Sequence, residues 1–394
     1  MRVLLCLTSL DLTQGGIAAV SRNLVRGLPA LDRAGQPVDV RALVYHGHEP
    51  QLAPEYWQKP GSFLAEGCGS SRRRFVTRFL SLCVSWRPSL VLVGHIHLAV
   101  VPYLFHWLLP GGYVLFCYGT EFDDHLSPLR RAAFRAARLR LGISRFTTAR
   151  LTDLFPGAAI ETCELATDEL AIIPTAGTAR RELSLPDAFG DPQPLGERTA
   201  LIVGRVAASE RYKGHDQLIT VLPRVRERVP AAQLVVVGAG DDLERLKAKA
   251  REAGVGQAVL FTGFASPELL TELFARCRLF AMPSRGEGFG LVYLEAMHHA
   301  KPCLASTADA GGEVVADGVT GLVVDPLDLG QITEALLRLM TDDELAGRLG
   351  RAGLERLNQR YRFHHFRRRL GQCLGQVVPE LFPAEEELAA SVGP

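Results

Sequence analysis

Short apolar runs rich in Val, Ile, Leu and Phe recur along the chain and alternate with stretches of helical spacing. In the first half they are VLLCLTSL, DVRALVYH, LVLVGHIH and YVLFCYGT. In the second they are TALIVGRV, AQLVVVGAG, AVLFTGF, RLFAMPS, KPCLAS and GLVVDP. Near-continuous apolar strands separated by amphipathic segments predict a parallel sheet with helices on both faces. The pattern occurs twice, so the expected fold is α/β, with two doubly wound, Rossmann-like parallel-sheet domains facing a cleft. The segment LSLPDAFGDPQPLGER, residues 183–198, holds Pro and Gly, lacks any period and is the expected linker. The expected domains are 1–190 and 196–357. Sheets of this kind bind ligands beyond the carboxyl ends of their strands. Candidate polar residues should therefore stand just after strands.

Composition narrows the function classes. Of the 394 residues, 47% are hydrophobic and 22% charged, an ordinary globular balance, and the net charge is +1. No bulk electrostatic case for a nucleic-acid partner exists, although a local basic face is possible. Eight cysteines are scattered with no C-x-x-C pair, which argues against a zinc cluster and suits buried thiols in a reducing compartment. MRVLLCLTSL could pass for a short signal peptide, but it runs into DLTQGGIAAV with no small-residue cleavage site, so a first strand is expected. The apolar stretch 89–119 is long enough to raise a membrane span. His95, His97, Pro102, His106 and Gly111-Gly112 interrupt it, so strand, helix and strand are expected in a soluble, cytoplasmic protein.

Four stretches carry candidate chemistry. Gly15 and Gly16 follow the opening strand and precede a helical run, which suits close approach of backbone to a ligand or a plain tight turn. In VGRVAASERYKGHDQLI, Arg205 leaves a strand and Lys213 precedes a helix, a pair suited to phosphates or to a solvated basic loop. VVVGAGDDLERL resembles a dinucleotide turn, but Leu243 stands where the third glycine belongs, and Asp241 and Asp242 would repel a pyrophosphate, so a nicotinamide site is excluded. In SRGEGFGLVYLEAM, a helix starting near Gly290 leaves the N–H groups of Gly290, Leu291 and Val292 unsatisfied, a seat for phosphate. Glu287 lies on the turn before that seat. Glu295 lies about 7–8 Å along the helix at ~1.5 Å per residue, as a clamp or an ordinary surface glutamate.

With glycine loop, Arg205, Lys213 and E-x₇-E in this order, the sequence resembles the retaining glycosyltransferases of family 4, with the GT-B fold. The resemblance is strongest over 199–326 and weaker over 1–168. It implies a nucleoside diphosphate sugar donor held by the second domain, UDP-linked before GDP-linked, with no cofactor and no metal ion. It implies catalytic roles for Arg205, Lys213 and Glu287, with Arg205 and Lys213 on the departing diphosphate and Glu287 at the sugar. Glu295 is implied at the ribose, Gly290, Leu291 and Val292 at the phosphates, Gly16 on a loop closing over them, and Phe264 at the base. The final helix, about 358–380, is expected to rejoin the first domain. The resemblance has departures. Tyr118 stands where many members carry histidine and is at most a sugar or acceptor contact, since tyrosine is a poor base at neutral pH. CELATDE replaces a proline- and asparagine-rich turn, and Ala300 replaces a common glycine.

The acceptor is expected to be a polysaccharide, glycolipid or other glycoconjugate, sugar or lipid-linked. Arg130, Arg131, Arg135, Arg138 and Arg140, interleaved with Leu129, Ala133, Phe134 and Ala137, read as a basic amphipathic helix that could rest on an anionic membrane, or as a solvated face. RRRF at 72–75 adds to the basic surface. His95 and His97 read as alternate residues on one strand, facing the core or the acceptor. A phosphorylase or epimerase and a non-catalytic sugar-nucleotide-binding subunit are the competing readings.

Overall fold

The structure is a computed structural model and describes residues 2–11, 15–28, 38–48, 56, 63–122, 126–168 and 182–379. The chain divides into two compact units, 1–170 with 361–394, and 171–360.

The first unit is built on seven strands: β1 (Arg2–Leu7), β2 (Asp39–Val44), β3 (Phe63–Gly67), β4 (Leu90–Val93), β5 (Tyr113–Cys117), β6 (Leu139–Gly142) and β7 (Ile160–Thr162). They lie in the order β3-β2-β1-β4-β5-β6-β7, all parallel, so the order reverses between β1 and β4. The connections carry α1 (Gly16–Gly27), α2 (Arg72–Ser85), α3 (Ile96–Leu104), α4 (Pro128–Ala136) and α5 (Arg145–Leu154). Residues 3–7 and 90–93 are wholly buried, as strands covered on both faces require. Serines cap α2, α4 and α5, each side-chain oxygen accepting an N–H of the first turn.

The second unit opens on a hairpin, β8 (Ser184–Pro186) with β9 (Pro192–Pro194), where a plain linker was expected. Asp187 organises it. Its buried carboxylate accepts the N–H groups of Phe189 and Asp191 at 2.8 and 3.1 Å and the Gln193 amide at 3.0 Å. Asp187 also bridges to Leu260, so this segment is a packed part of the second unit. Local carboxylate-to-backbone bonds of this kind leave no hydrophobic period to read.

The second sheet holds β10 (Thr199–Val203), β11 (Gln233–Val237), β12 (Val259–Gly263), β13 (Leu279–Ala281), β14 (Cys303–Ser306) and β15 (Gly321–Val324). The order is β12-β11-β10-β13-β14-β15, all parallel, with its reversal between β10 and β13. Helices α6 (His215–Arg228), α7 (Leu243–Glu252), α8 (Pro267–Arg276), α9 (Leu291–His298), α10 (Gly311–Val314), α11 (Leu329–Thr341) and α12 (Asp343–Arg356) complete it. The chain then returns to the first unit in α13 (Phe363–Gly375). There Phe363, Phe366 and Leu370 pack against Gly27 of α1, and Arg369 donates to the Glu164 carbonyl at 3.1 Å.

CELATDE also has a structural task. Asp168 is buried and accepts from Arg22 Nε and Tyr56 Oη, each at 2.8 Å, while Arg22 also holds the Asp11 carbonyl at 2.9 Å. The Asp168 carboxylate thus ties α1 and Tyr56 to the chain beyond β7, and Arg22 in turn holds the loop after β1. All eight cysteines are free and buried. Among the described residues, no helix is long and apolar enough to cross a membrane. The apolar stretch 89–119 resolves into β4, α3, a short 3₁₀ turn and β5.

Candidate active site

The reversal of strand order between β10 and β13 opens a crevice at the carboxyl edge of the second sheet. The loop after β10 carries Arg205 and Lys213. The loop after β13 carries Glu287 and leads into α9. Both sequence-predicted clusters therefore flank one crevice, although some seventy residues separate them.

Lys213 Nζ lies 2.6 Å from Glu287 Oε1 and 3.6 Å from Glu210 Oε2. Glu210 Oε1 in turn lies 3.2 Å from Arg205 Nε. The four side chains form a chain of alternating charge, Arg205–Glu210–Lys213–Glu287. Burial disfavours the Lys213 ammonium, but Glu287, Tyr212 and Glu210 outweigh that and hold its pKa above the ordinary lysine value. The side chain of Lys213 is 13% exposed and that of Arg205 is 72% exposed. The lysine is therefore a fixed charge and the arginine an adjustable one.

Glycines make the close approach possible. A Cβ at Gly204 would stand 3.0 Å from Lys213 Cδ. The Tyr212 ring lies against Gly286, and Arg285 N–H donates to the Tyr212 carbonyl at 2.9 Å, stitching the two loops together. The turn itself is held from behind. Asp242 takes Arg211 and Arg245, Asp216 takes Arg245 and Lys249, and Asp241 accepts the Ala208 N–H at 2.8 Å. Burial works against the Asp216 charge, yet the bonds from Arg245 and Lys249 prevail and bring its pKa to about 2.

The GAG turn also has a local explanation. A Cβ at Gly238 would fall 1.9 Å from the Gly204 carbonyl oxygen, and one at Gly240 2.0 Å from that of Val206. These glycines admit the neighbouring loop, not a pyrophosphate, in keeping with the exclusion of a dinucleotide site.

Gly290 is the N-cap of α9, at φ +86°, so Leu291 and Val292 begin the helix as the spacing implied. First-turn amides have no carbonyl partner within a helix and carry the positive end of its dipole. No acidic side chain occupies this first turn. Glu295 lies in the second turn, half-buried. Phe264 follows the edge strand β12 and is 63% exposed, a free ring at the rim of the same carboxyl edge. Asp309, after β14, accepts the Glu287 N–H at 2.9 Å. Sequence reasoning missed Glu210, Tyr212 and Asp309. A carboxylate within SERYK and another just before Gly311-Gly312 were the only available signals.

In the first unit, Gly16 begins α1 after the N-cap Gly15. Among the described residues, leaving out its chain neighbours, no atom comes within 4 Å of where a Gly15 Cβ would stand. Tyr118 follows β5 and is buried, with its N–H donating to Glu121 Oε1 at 2.7 Å. Its hydroxyl and Glu121 Oε2 are buried with no hydrogen-bond partner among the described residues. Burial drives the Tyr118 pKa well above the ordinary phenol value and lifts Glu121 to about 7. His95 and His97 do not alternate on a strand. β4 ends at Val93, His95 caps α3 through Nδ1, and His97 sits in its first turn. The two rings stack 4.7 Å apart, and His95 lies 6.2 Å from the Tyr118 ring. Burial, with His97 and Arg130, lowers His95 to about 4, so it is neutral at pH 7.

The predicted basic helix is shorter than its pattern. α4 ends at Ala136, and Arg140 lies in β6, 5% exposed, donating to the carbonyls of Phe134 and Arg135. It satisfies the end of α4 and adds nothing to a surface charge. Arg138 lies between the two elements. Arg135 and Arg72 to Arg74 are exposed. Among the described residues, no cluster of three or more potential metal ligands occurs.

Residues 189–356 match the model for Glycosyl transferases group 1. The chain is 35% identical over 250 residues to a GDP-mannose-dependent alpha-(1-6)-phosphatidylinositol monomannoside mannosyltransferase of Mycolicibacterium smegmatis, covering 60% of this chain and 63% of that one. The protein of the same description from Mycobacterium tuberculosis is 32% identical over 274 residues, covering 65% of this chain and 68% of that one. Among solved structures, sucrose-phosphate synthase from Thermosynechococcus elongatus superposes with a TM-score of 0.74 at 20% identity, covering 96% of this chain and 99% of that chain. The Anabaena protein HepE, solved with UDP and glucose, gives 0.73 at 17% identity, covering 95% of this chain and all of that one. These two likenesses concern the fold.

Proposed function

We propose, from the premise that this chain belongs to the group 1 glycosyltransferases, that it moves a sugar with retention from a nucleoside diphosphate donor to a glycolipid acceptor. One observation carries the reading. A phosphate-seeking ammonium and a carboxylate suited to sugar hydroxyls meet at 2.6 Å, directly before a helix N-terminus. A nucleotide sugar laid across that point has its diphosphate on Lys213, Arg205 and the amides of Gly290, Leu291 and Val292. Its sugar then lies at Glu287, its ribose at Glu295 and its base toward Phe264.

Leaving-group departure places negative charge on the diphosphate. The fixed lysine, the adjustable arginine and first-turn helix amides would stabilise that charge more in the transition state than in the ground state. Lys213 has three donors, so it can keep Glu287 while it gains a phosphate oxygen. These groups supply the positive charge that a metal ion gives other transferases, and activity in the presence of EDTA is the expected outcome.

The two relatives' descriptions put GDP-mannose first among donors to test, with UDP-glucose second. Within the first unit, Gly16 is assigned to a ligand-contacting loop and Tyr118 to a sugar or acceptor contact. A glycolipid acceptor would place the enzyme at an anionic membrane surface from the cytoplasmic side, with Arg72 to Arg74 and Arg135 toward the lipid.

Thermal shift with GDP, UDP and ADP, followed by turnover of GDP-mannose and UDP-glucose, tests the proposal, because a ligand that binds only the native state raises the melting temperature. Stabilisation by a nucleoside diphosphate with no hydrolysis or transfer of any donor would favour a non-catalytic binding subunit.

A further inference from the structure

Glu287 sits between Gly286 and Gly288, in a stretch with little intrinsic tendency to hold one conformation. A residue whose carboxylate must face a particular atom needs outside support there. Asp309, 4% exposed, supplies it. Its Oδ2 accepts the Glu287 N–H at 2.9 Å, and its Oδ1 accepts the Gly311 N–H at 2.9 Å. The Ser284 hydroxyl donates to the same carboxylate. In return, the Ala310 N–H donates to the Glu287 carbonyl at 3.2 Å. Both backbone polar groups of Glu287 are thus held by two consecutive residues of the facing loop. Behind them Tyr293 is fully buried, its hydroxyl donating to the Met282 carbonyl at 2.6 Å.

We propose that Asp309 is a positioning residue for sugar transfer, touching no reacting atom and acting by fixing the peptide of Glu287 opposite Lys213. This rests on the glycosyltransferase reading above. The grip has a proton dependence. Burial raises the Asp309 pKa to about 6, the N–H and hydroxyl bonds oppose the rise, and the charge of Glu287 adds to it. The ionisable groups facing it are Glu287 from the loop after β13 and Tyr293 from α9, with Lys213 beyond Glu287. As pH falls through about 6 the carboxylate takes a proton, becomes a weaker acceptor for two N–H donors, and the Glu287 peptide loosens.

The test pairs kinetics with amide exchange of the peptide covering 284–290, in wild type, Asp309→Asn and Ser284→Ala. Asp309→Asn is expected to speed exchange at Glu287, lower kcat roughly 10- to 100-fold and remove the acid limb near pH 6, while nucleoside diphosphate affinity is retained. Ser284→Ala removes one donor and is expected to move the limb to higher pH. A wild-type kcat and pH profile in Asp309→Asn, or unchanged exchange at Glu287, would overturn the proposal. Should Asp309→Asn not fold, the wild-type protein decides. Its exchange over 284–290, corrected for intrinsic rates, must rise below pH 6, and a flat profile sinks the idea. A wild type inactive on every nucleotide sugar would instead sink the parent reading, with the exchange data still judging the clasp.

Discussion

Lys213 and Glu287, 74 positions apart, meet at 2.6 Å across the crevice between β10 and β13. That contact joins the two halves of the proposed donor site, so removing either member should damage different steps. Lys213→Ala is expected to weaken nucleoside diphosphate binding and lower kcat by about 10²–10³, the usual scale for one preorganised electrostatic group. Glu287→Ala should lower transfer while leaving most affinity for the free nucleotide. Calorimetric titration beside steady-state kinetics separates the two. Equal losses of nucleotide affinity in both variants would contradict the division of labour.

Glu210 lies between both cations, and nothing in the proposed chemistry needs its charge. Glu210→Gln keeps the shape and removes the competitor for Arg205 and Lys213. Tighter binding of the free nucleoside diphosphate is the expected result, by roughly tenfold or less for a partly exposed group. Weaker binding would mean that the carboxylate is needed to aim the cations.

The Glu121 pKa is raised to about 7 by burial, so its sign is opposite to that of a salt-bridged acid. Its contribution to stability is complete below the unfolded value near 4.5 and is lost as pH rises through about 7. Glu121→Gln can keep the acceptor for the Tyr118 N–H without the charge. Its melting temperature should exceed that of wild type at pH 8 and converge with it near pH 5.

Ala300 shows where the resemblance and the backbone agree. It sits at φ +52°, a left-handed conformation that costs a residue with a Cβ about 1–2 kcal/mol. Ala300→Gly should therefore stabilise the second unit by roughly 1 kcal/mol, less the entropy that glycine brings to the unfolded chain. A chemical denaturation midpoint that moves down would refute this.

Membrane attachment has a direct assay. Replacing Arg72, Arg73 and Arg74 by Gln should reduce flotation with anionic vesicles and leave neutral vesicles unaffected. Wild-type flotation should weaken as salt is raised. Flotation that ignores both lipid charge and salt would remove the basic surface from consideration.

The strands of the second unit were legible because each is a buried apolar run ending in a glycine or charged loop. All six named runs became β10 to β15. β3, β6 and β7 were not read. FLAEG carries a glutamate, LRLG buries an arginine that bonds helix carbonyls, and IET is only three residues long. The same cause misplaced His95 and His97. A strand followed at once by a helix continues the apolar run, and the two-residue alternation hid the turn. Arg205, Lys213, Glu287 and Gly290 stood out by spacing. Their supports, Glu210 and Asp309, act through contacts distant in sequence and leave no periodic trace.

The alternating chain Arg205–Glu210–Lys213–Glu287 has a consequence for selectivity in a cell crowded with phosphate esters. Two carboxylates already stand beside the two cations, so the resting crevice presents little net positive charge and little pull on inorganic phosphate or simple monoesters. An incoming diphosphate competes with Glu210 for both cations, so on the proposed reading a ligand that also reaches the sugar and ribose positions gains more than a diphosphate alone. On that reading, the internal acids lower raw phosphate affinity and leave selection to recognition of the whole donor.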